Sequence, residues 1–301
     1  MPSSVLGDAR AGGICYRGQA MTIRKRFLFH CCIVSVLGFS PAVTRVALAD
    51  WEHSYGMHDL SVPEMNSDTF GVNITLFNDY TTDGGIDLHT AFDVFLDHDK
   101  DHLDPDHIPI WWMGHFEAKN EFYALTQNLG LDWLFDVDTK ANTVSSVERQ
   151  IKAMPGIAAA YSNNSFSASL KGSAGYYFLE IDDDVAKNYG YTRNDFRNST
   201  SATSLAVDVG FSLGNAGHLS AYAGEWADGG TWLEKQYGVT LSFDTPSLRA
   251  DSKLVFESAY TEFNLVHYVP SEPTESPYPP ILPWDHDVYY RLSWIATPRS
   301  R

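Results

Sequence analysis

Residues 166–178 read FSASLKGSAGYYF, and this stretch decides the fold. Its apolar side chains, among them Phe166, Leu170, Tyr176 and Phe178, stand at even positions and alternate with Ser, Lys and Gly. A period of two places such side chains on one face of a β-strand. Strands of globular proteins average about 5–6 residues, whereas strands that cross a membrane need about 9–11. The stretch therefore predicts a strand long enough to span a bilayer.

The same alternation continues along the chain, and almost no helical periodicity interrupts it. It predicts twelve strands, at 53–62, 69–80, 86–97, 109–122, 129–138, 147–161, 166–180, 204–214, 219–227, 233–244, 252–266 and 287–297. Aromatic residues near the strand ends, including Trp111, Trp112, Tyr176 and Tyr177, predict two interfacial girdles. The predicted fold is all-β, an antiparallel up-and-down transmembrane barrel of about twelve strands.

The connections between these strands are unequal in length. The longest, 98–108, 181–203 and the proline-rich 267–286, all follow odd-numbered strands, whereas 163–165 has the composition of a tight turn. Long loops at one end and short turns at the other are typical of membrane barrels with both termini on the short-turn side. A periplasmic β-sandwich or a soluble barrel would also alternate, so a soluble fold stays as the alternative.

The N-terminal segment has the organisation of a secretory signal. Arg24-Lys25-Arg26 is followed by an apolar run over 27–39 and by Ala47-Leu48-Ala49, a small-residue cleavage site. We expect Met21 to be the true start, 1–49 to be removed, and 50–301 to form a single barrel domain. The three cysteines lie in the removed part, at Cys15, Cys31 and Cys32, so we expect a mature chain without disulfides.

Over residues 50–301 the chain resembles bacterial outer-membrane β-barrel proteins. The resemblance rests on the signal ending at Ala49, on the alternating strands, and on the final alternation of Val288, Tyr290, Leu292 and Trp294. It implies location in the cell outer membrane, in contact with membrane lipid and lipopolysaccharide. Such proteins usually end on an aromatic residue, whereas this chain continues to Arg301.

The composition excludes several classes of protein. Aromatic residues make up 14% and apolar residues 44%, which is too much apolar surface for a disordered chain. Asp and Glu number 38 against 21 Lys and Arg, a net charge of −17, so we expect no nucleic-acid partner. The mean hydropathy of −0.23 and the lack of a long apolar run after the signal exclude a helical membrane protein.

If the apolar face of each strand meets lipid, the polar face lines the lumen. The predicted pore-lining residues are Asp87, His89, Asp93, Glu117, Asp132, Asp136, Asp208, Glu257 and Arg291. Carboxylates lower the energy of cations in a pore, and a barrel of about twelve strands is narrow. We therefore expect a porin-like channel for small polar or cationic solutes. The alternative is that these charges pair and plug the lumen, which leaves a structural or partner-binding barrel.

One acidic loop has metal-binding residue types. Asp97, Asp99, Asp101 and Asp104 are spaced somewhat like a calcium loop, but His102 and Ile108 occupy the positions that need Gly and Glu. These departures exclude an EF-hand. We expect a solvated loop that holds a divalent cation loosely, and no other cofactor. The alternative is a transition-metal site formed by His98, His102 and His107 with the interleaved aspartates.

A lipid-modifying hydrolase is the enzymatic alternative. His115 and Glu117 share a strand face, as do His218 and Ser220, and Asn78-Asp79 ends another strand. None of these spacings is specific, and the sequence contains no Gly-x-Ser-x-Gly, His-Glu-x-x-His or glycine-rich phosphate loop. No residue is assigned a catalytic role.

Overall fold

The computed structural model describes residues 51–62, 67–98, 110–141, 147–181, 197–214, 217–248, 252–264 and 286–296. The predicted signal segment, 1–49, lies outside these ranges, so the domain boundary at residue 50 stays a prediction. Within the described ranges, no helix is long and apolar enough to cross a membrane.

Twelve antiparallel strands close into one barrel, which confirms the predicted all-β up-and-down fold. They are β1 (Glu52–Val62), β2 (Ser67–Thr81), β3 (Asp87–His98), β4 (Ile110–Ala124), β5 (Leu129–Ala141), β6 (Val147–Ser162), β7 (Phe166–Ile181), β8 (Arg197–Ser212), β9 (Gly217–Asp228), β10 (Thr231–Asp244), β11 (Ser252–Phe263) and β12 (His286–Ala296). Each strand pairs with its neighbours in sequence, and β12 pairs with β1 to close the sheet. Closure removes the edge strands and so the unpaired backbone groups that an edge exposes.

The strands alternate between an apolar outer face and a polar inner face. On β2, Phe70, Val72 and Leu76 are 46–48% exposed, whereas Asn73 and Thr75 between them are 2% and 7% exposed. The same contrast recurs on β8, where Leu205 and Val207 are exposed. Monomeric proteins in water rarely expose a continuous apolar patch of more than a few hundred Å². A wall that is apolar all the way round suits contact with hydrocarbon.

The connections define two different ends of the barrel. As predicted, the connections differ in length between the two ends. The longest are 99–109, 182–196 and 264–285, and all three follow odd-numbered strands. At the other end, the Oδ1 atom of Asn163 accepts hydrogen bonds at 2.9 Å from the backbone N–H groups of Ser165 and Phe166, which forms a tight turn. We call these the long-loop end and the short-turn end.

One hairpin at the long-loop end is exceptionally tight. β9 and β10 are joined by Gly229 and Gly230 alone, whose φ angles are 54° and 93°. A two-residue hairpin turn with both φ angles positive matches the twist of the strands, and glycine adopts these angles without steric cost. The two glycines therefore permit this direct reversal.

The start of β8 was predicted wrongly. The strand begins at Arg197 rather than at 204, because its first residues pair with the long upper part of β7, from Glu180 opposite Arg197 to Tyr177 opposite Thr200. Residues 197–203 are mostly polar on both faces, so they show no alternation. Ladder hydrogen bonds to a neighbouring strand determine their conformation.

Two residues of the predicted aromatic girdles were assigned to the wrong face of the barrel. Trp111 and Tyr177 lie inside the barrel, where they are 2% and 0% exposed. Their neighbours Trp112 and Tyr176 belong to the outer face, where Tyr176 is 45% exposed. Successive side chains of a strand point to opposite faces, so only one member of each aromatic pair can reach an interface.

Arginine substitutions on the outer face test whether that face contacts hydrocarbon. In the protein refolded into lipid vesicles, we expect Leu205→Arg, near the middle of β8, to lower the free energy of unfolding by about 2–4 kcal/mol. Leu213→Arg lies just beyond the strand at the short-turn end and should cost about 0–1 kcal/mol. Urea unfolding measures both costs. Equal costs at the two depths would contradict a wall that faces hydrocarbon.

Candidate functional site

All nine residues predicted to line a pore lie on the inner face. Two contacts establish the direction: Arg291 on β12 reaches Asp93 on β3 at 2.5 Å, and Lys171 on β7 reaches Glu117 on β4 at 3.2 Å. In each case two strands separate the partners, so the side chains meet inside the barrel. The other five predicted residues lie on the same face. Each is an even number of residues from an inner-face residue of its own strand, or pairs directly with an inner-face residue of the neighbouring strand.

The inner face carries many more carboxylates than cations. In the described strands its carboxylates are Glu52, Asp79, Asp87, Asp93, Asp97, Glu117, Glu121, Asp132, Asp136, Asp138, Asp208, Asp228, Glu234, Asp244, Glu257 and Asp287. Its Lys and Arg residues, within the same described strands, are Lys119, Lys140, Lys152, Lys171, Lys253 and Arg291. The interior therefore has a negative electrostatic potential that its own basic side chains do not neutralise.

The acidic groups are most concentrated on β4 and β5. Asp132 lies opposite Glu121, and Asp136 lies opposite Glu117, so like charges face each other across the ladder. Lys119 and Lys171 contact Glu117 at 2.9 and 3.2 Å, but the Oδ1 atom of Asp136 is buried without a hydrogen-bond partner among the described residues. We call Glu117, Glu121, Asp132 and Asp136 the acidic stripe.

At mid-height, part of the predicted pore lining is tied into a charge network. Arg291 donates to Asp93 at 2.5 Å and also to Glu257 on β11. Thr75 donates a second hydrogen bond to Asp93, at 2.5 Å. One arginine thus binds two carboxylates, so this network keeps a net negative charge, although each of its carboxylates has a cationic partner.

Toward the long-loop end, side chains bridge the interior. Glu234 on β10 is 1% exposed and accepts hydrogen bonds from Gln150 at 2.5 Å, from Lys152 at 3.1 Å and from Tyr177 at 3.1 Å. The ammonium group of Lys152 also lies 3.8 Å from the ring centroid of Trp226. These contacts join β6 and β7 to β10, and burial strengthens them because little water screens the charges.

A second bridge crosses nearly the full width of the barrel. Lys140 on β5 lies 3.3 Å from Asp287 on β12, and four strands separate the two on the shorter way round. We call Lys140, Gln150, Lys152, Tyr177, Glu234 and Asp287 the closing layer. Its contacts cross the lumen near the long-loop end.

Aromatic side chains pack together inside the barrel toward the same end. Phe95 and Trp111 stack with their ring centroids 3.6 Å apart, and His58 packs edge-on against Phe95 at 4.9 Å. The Nε2 atom of His58 lies 2.5 Å from a carboxylate oxygen of Asp97, and the Nε1–H group of Trp111 donates to that carboxylate at 2.9 Å. The barrel wall therefore holds Asp97 from two sides.

This placement bears on the predicted metal loop. Asp97 is a buried inner-face residue at the end of β3. The other proposed ligands, Asp99, Asp101 and Asp104, lie outside the described residues. A loosely bound cation at this loop stays a prediction.

Three of the residues considered for a hydrolase, His115, Glu117 and Asp79, have ionic partners. The Nδ1 atom of His115 lies 2.7 Å from Asp138, and the Nδ1 atom of His89 lies 2.5 Å from Asp79. Glu117 is held by its two lysines. The described contacts of these residues thus belong to the inner charge network.

Comparisons with known proteins find similar solved structures but no family. No protein-family model and no curated protein matches the chain. Similar solved structures include the KdgM porin in complex with disordered oligogalacturonate (9% identity, TM-score 0.44, 82% of this chain and 99% of that chain) and the NanC porin (8% identity, TM-score 0.48, 82% and 100%). Outer membrane phospholipase A from Escherichia coli is similar as well (9% identity, TM-score 0.42, 82% and 90%). All three are outer-membrane β-barrel proteins.

The buried bridge to Glu234 can be tested by removing one partner. We expect Lys152→Met to lower the free energy of unfolding by about 3–5 kcal/mol, because it leaves a buried carboxylate without its cation. Lys119→Met removes a more exposed partner and should cost about 1 kcal/mol or less. Urea unfolding in detergent compares the two. Equal losses in the free energy of unfolding in the two variants would contradict the role of Lys152 as the stabilising cation of Glu234.

Proposed function

We propose that the protein is an outer-membrane pore for small cationic and polar solutes. Its outer apolar face supports placement in a bilayer, where we infer contact with membrane lipid and lipopolysaccharide. Its negatively charged interior supports a preference for cations over anions.

The acidic stripe is the observation that carries this proposal. Two pairs of carboxylates face each other in register, an arrangement that costs stability in a β-sheet. Proteins retain such local costs mainly where function needs them. Placed along the inside of a barrel, the stripe lowers the energy of a passing cation and raises that of an anion.

The closing layer supports a narrow and selective pore. Its two bridges obstruct the interior near the long-loop end, so a large solute cannot pass between Lys140 and Asp287 or past Glu234. We infer that permeation requires these side chains to separate. Ion pairs between side chains can exchange partners without unfolding the sheet that holds them.

Charge selectivity tests the proposal directly. In planar bilayers with a salt gradient, we expect the wild-type protein to show cation-selective current steps. The double variant Asp132→Asn/Asp136→Asn should shift the reversal potential toward zero, because it removes negative charge that no described cation contacts. Asp59→Asn changes a carboxylate on the outer face and serves as the matched control. Unchanged selectivity in a conducting double variant would reject the acidic stripe as the selectivity element.

The closing layer makes a separate prediction about conductance. Lys140→Ala/Asp287→Ala removes both ends of the longest bridge, so the unitary conductance should rise severalfold. Lys253→Ala, an inner lysine at the short-turn end, should have little effect. Single-channel recording distinguishes them. No increase in the double variant would exclude the bridge as the constriction.

A non-conducting barrel is the second candidate, and the closing layer also favours it. If both the wild type and the Lys140→Ala/Asp287→Ala variant insert into bilayers but conduct no current, the lumen is permanently closed. The protein would then act through its surfaces.

A further inference from the structure

Two histidines on the inner face lie side by side, and each is bound by a carboxylate from the strand on its other side. The rings of His89 on β3 and His115 on β4 have centroids 5.4 Å apart and planes inclined at 50°. Asp79 on β2 lies directly opposite His89, and Asp138 on β5 lies directly opposite His115. We call these four residues the histidine row. It crosses four consecutive strands in the order carboxylate, imidazole, imidazole, carboxylate.

The carboxylates occupy only one nitrogen of each imidazole. The Nδ1 atom of His89 lies 2.5 Å from Asp79, and that of His115 lies 2.7 Å from Asp138. No hydrogen bond among the described residues uses either Nε2 atom. A neutral imidazole whose Nδ1–H group donates to a carboxylate keeps a lone pair on Nε2, and metal-binding histidines are commonly held in this way. The row therefore presents two imidazole lone pairs whose rings are already oriented.

The spacing of the two rings matches a shared metal ion. Zinc binds imidazole nitrogen at about 2.0–2.1 Å in tetrahedral geometry, so two imidazoles on one zinc ion have ring centroids about 5 Å apart. The observed separation is 5.4 Å, so the rings need little movement to bind one ion. Imidazole suits zinc, copper, nickel and iron, whereas calcium and magnesium prefer oxygen ligands. The pair thus favours transition metals.

The histidine row faces an accessible part of the lumen. The side chains of His89 and His115 are 39% and 37% exposed, whereas His58, also on the inner face, is 2% exposed. His115 pairs with Ala91, so both histidines lie on the short-turn side of Asp93. An ion that enters at the short-turn end would therefore meet the row before it reaches the closing layer.

The acidic stripe lies beside the row and supplies attraction for a cation. Glu117 pairs directly with His89, and Asp136 pairs directly with Glu117. The Oδ1 atom of Asp136 is buried without a hydrogen-bond partner among the described residues. A divalent cation held by the two imidazoles would offset part of this negative charge.

The site is open rather than closed. Within the described strands, no three His, Cys, Asp or Glu side chains converge closely enough to hold a metal ion. Water would complete the coordination of an ion bound by His89 and His115, as in metal sites that keep an exchangeable position. Such a site suits an ion in transit, whereas a permanent structural metal is enclosed by protein ligands.

We propose that His89 and His115 together bind a divalent transition-metal ion, such as zinc, inside the lumen. Asp79 and Asp138 are positioning residues, because they hold the two rings through Nδ1 and leave Nε2 for the ion. The role in passage rests on the proposed pore and narrows its cationic solutes to this class. Binding itself does not require conduction.

Zinc binding to the refolded full barrel in detergent tests the site. With isothermal titration calorimetry, we expect the wild type to bind zinc in the presence of excess calcium, and His89→Gln/His115→Gln to abolish that binding. His218→Gln is the matched control, because His218 lies on the inner face of β9 and has no carboxylate partner among the described residues. It should bind zinc like the wild type. Heat-modifiable gel mobility confirms that each variant is folded.

The positioning residues give a second test that does not depend on removing a ligand. Asp79→Asn/Asp138→Asn should weaken zinc binding by about 10–100-fold, because outer partners of metal-binding histidines have effects of this size. Copper(II) provides the spectroscopic signature. Its paramagnetic resonance spectrum should show two imidazole nitrogens in the wild type and in this asparagine variant, and neither in His89→Gln/His115→Gln.

The histidines of the acidic loop are a competing source of zinc binding. His98→Gln/His102→Gln/His107→Gln should leave the two-nitrogen copper signal unchanged. Loss of that signal in the loop variant and its retention in His89→Gln/His115→Gln would overturn the proposal. Displacement of zinc by excess calcium would also overturn it, because it would indicate attraction by charge alone. A loss of zinc binding in His218→Gln equal to that of the paired variant would do the same.

Conduction is measured separately, so that failure of the site and failure of the pore can be told apart. In planar bilayers, we expect added zinc to slow the sodium current of the wild type and to have less effect on His89→Gln/His115→Gln. A barrel that binds zinc through the two imidazoles but passes no current would leave the site intact and reject the pore. A cation-selective barrel that binds no zinc would reject the site and leave the pore.

Discussion

Pairing of β12 with β1 is the constraint on which the rest of the molecule depends. It closes the sheet, so backbone hydrogen bonds are satisfied within the wall and only side chains face the surroundings. Each strand position then belongs either to the outside or to the lumen. A single alternation consequently produces both the apolar surface and the charged interior, and a shift of one residue in register would exchange them.

The interior charges divide according to how they are neutralised. Glu234 and Arg291 are embedded in networks in which each charge has opposite partners, as buried ions require. Asp132 and Asp136 face other carboxylates instead. Stability alone would favour replacing such residues with neutral ones, because like charges in register oppose strand pairing. The structure therefore combines a stabilising network toward the long-loop end with a destabilising acidic stripe along β4 and β5.

The fold was largely predictable because the environment of a barrel wall is uniform on each side. Alternation identified the strands and placed residues such as Asp93 and Glu117 on the polar face. It failed where both faces are polar, as at the start of β8 from Arg197, since no contrast marks the strand there. The closing layer was missed for another reason. Alternation places Lys140 and Asp287 inside, but their contact depends on which distant strands face each other across the lumen.

The strands differ in length, and this has a consequence for the surrounding lipid. Outward apolar residues run from Phe166 to Phe178 on the 16-residue β7, but only from Val288 to Trp294 on the 11-residue β12. At a ~40° tilt these stretches cover about 30 Å and about 15 Å of depth. Lipid adjusts its thickness to the apolar height of a protein. The barrel should thus be surrounded by a membrane of uneven thickness, thinnest along the seam where the first and last strands meet.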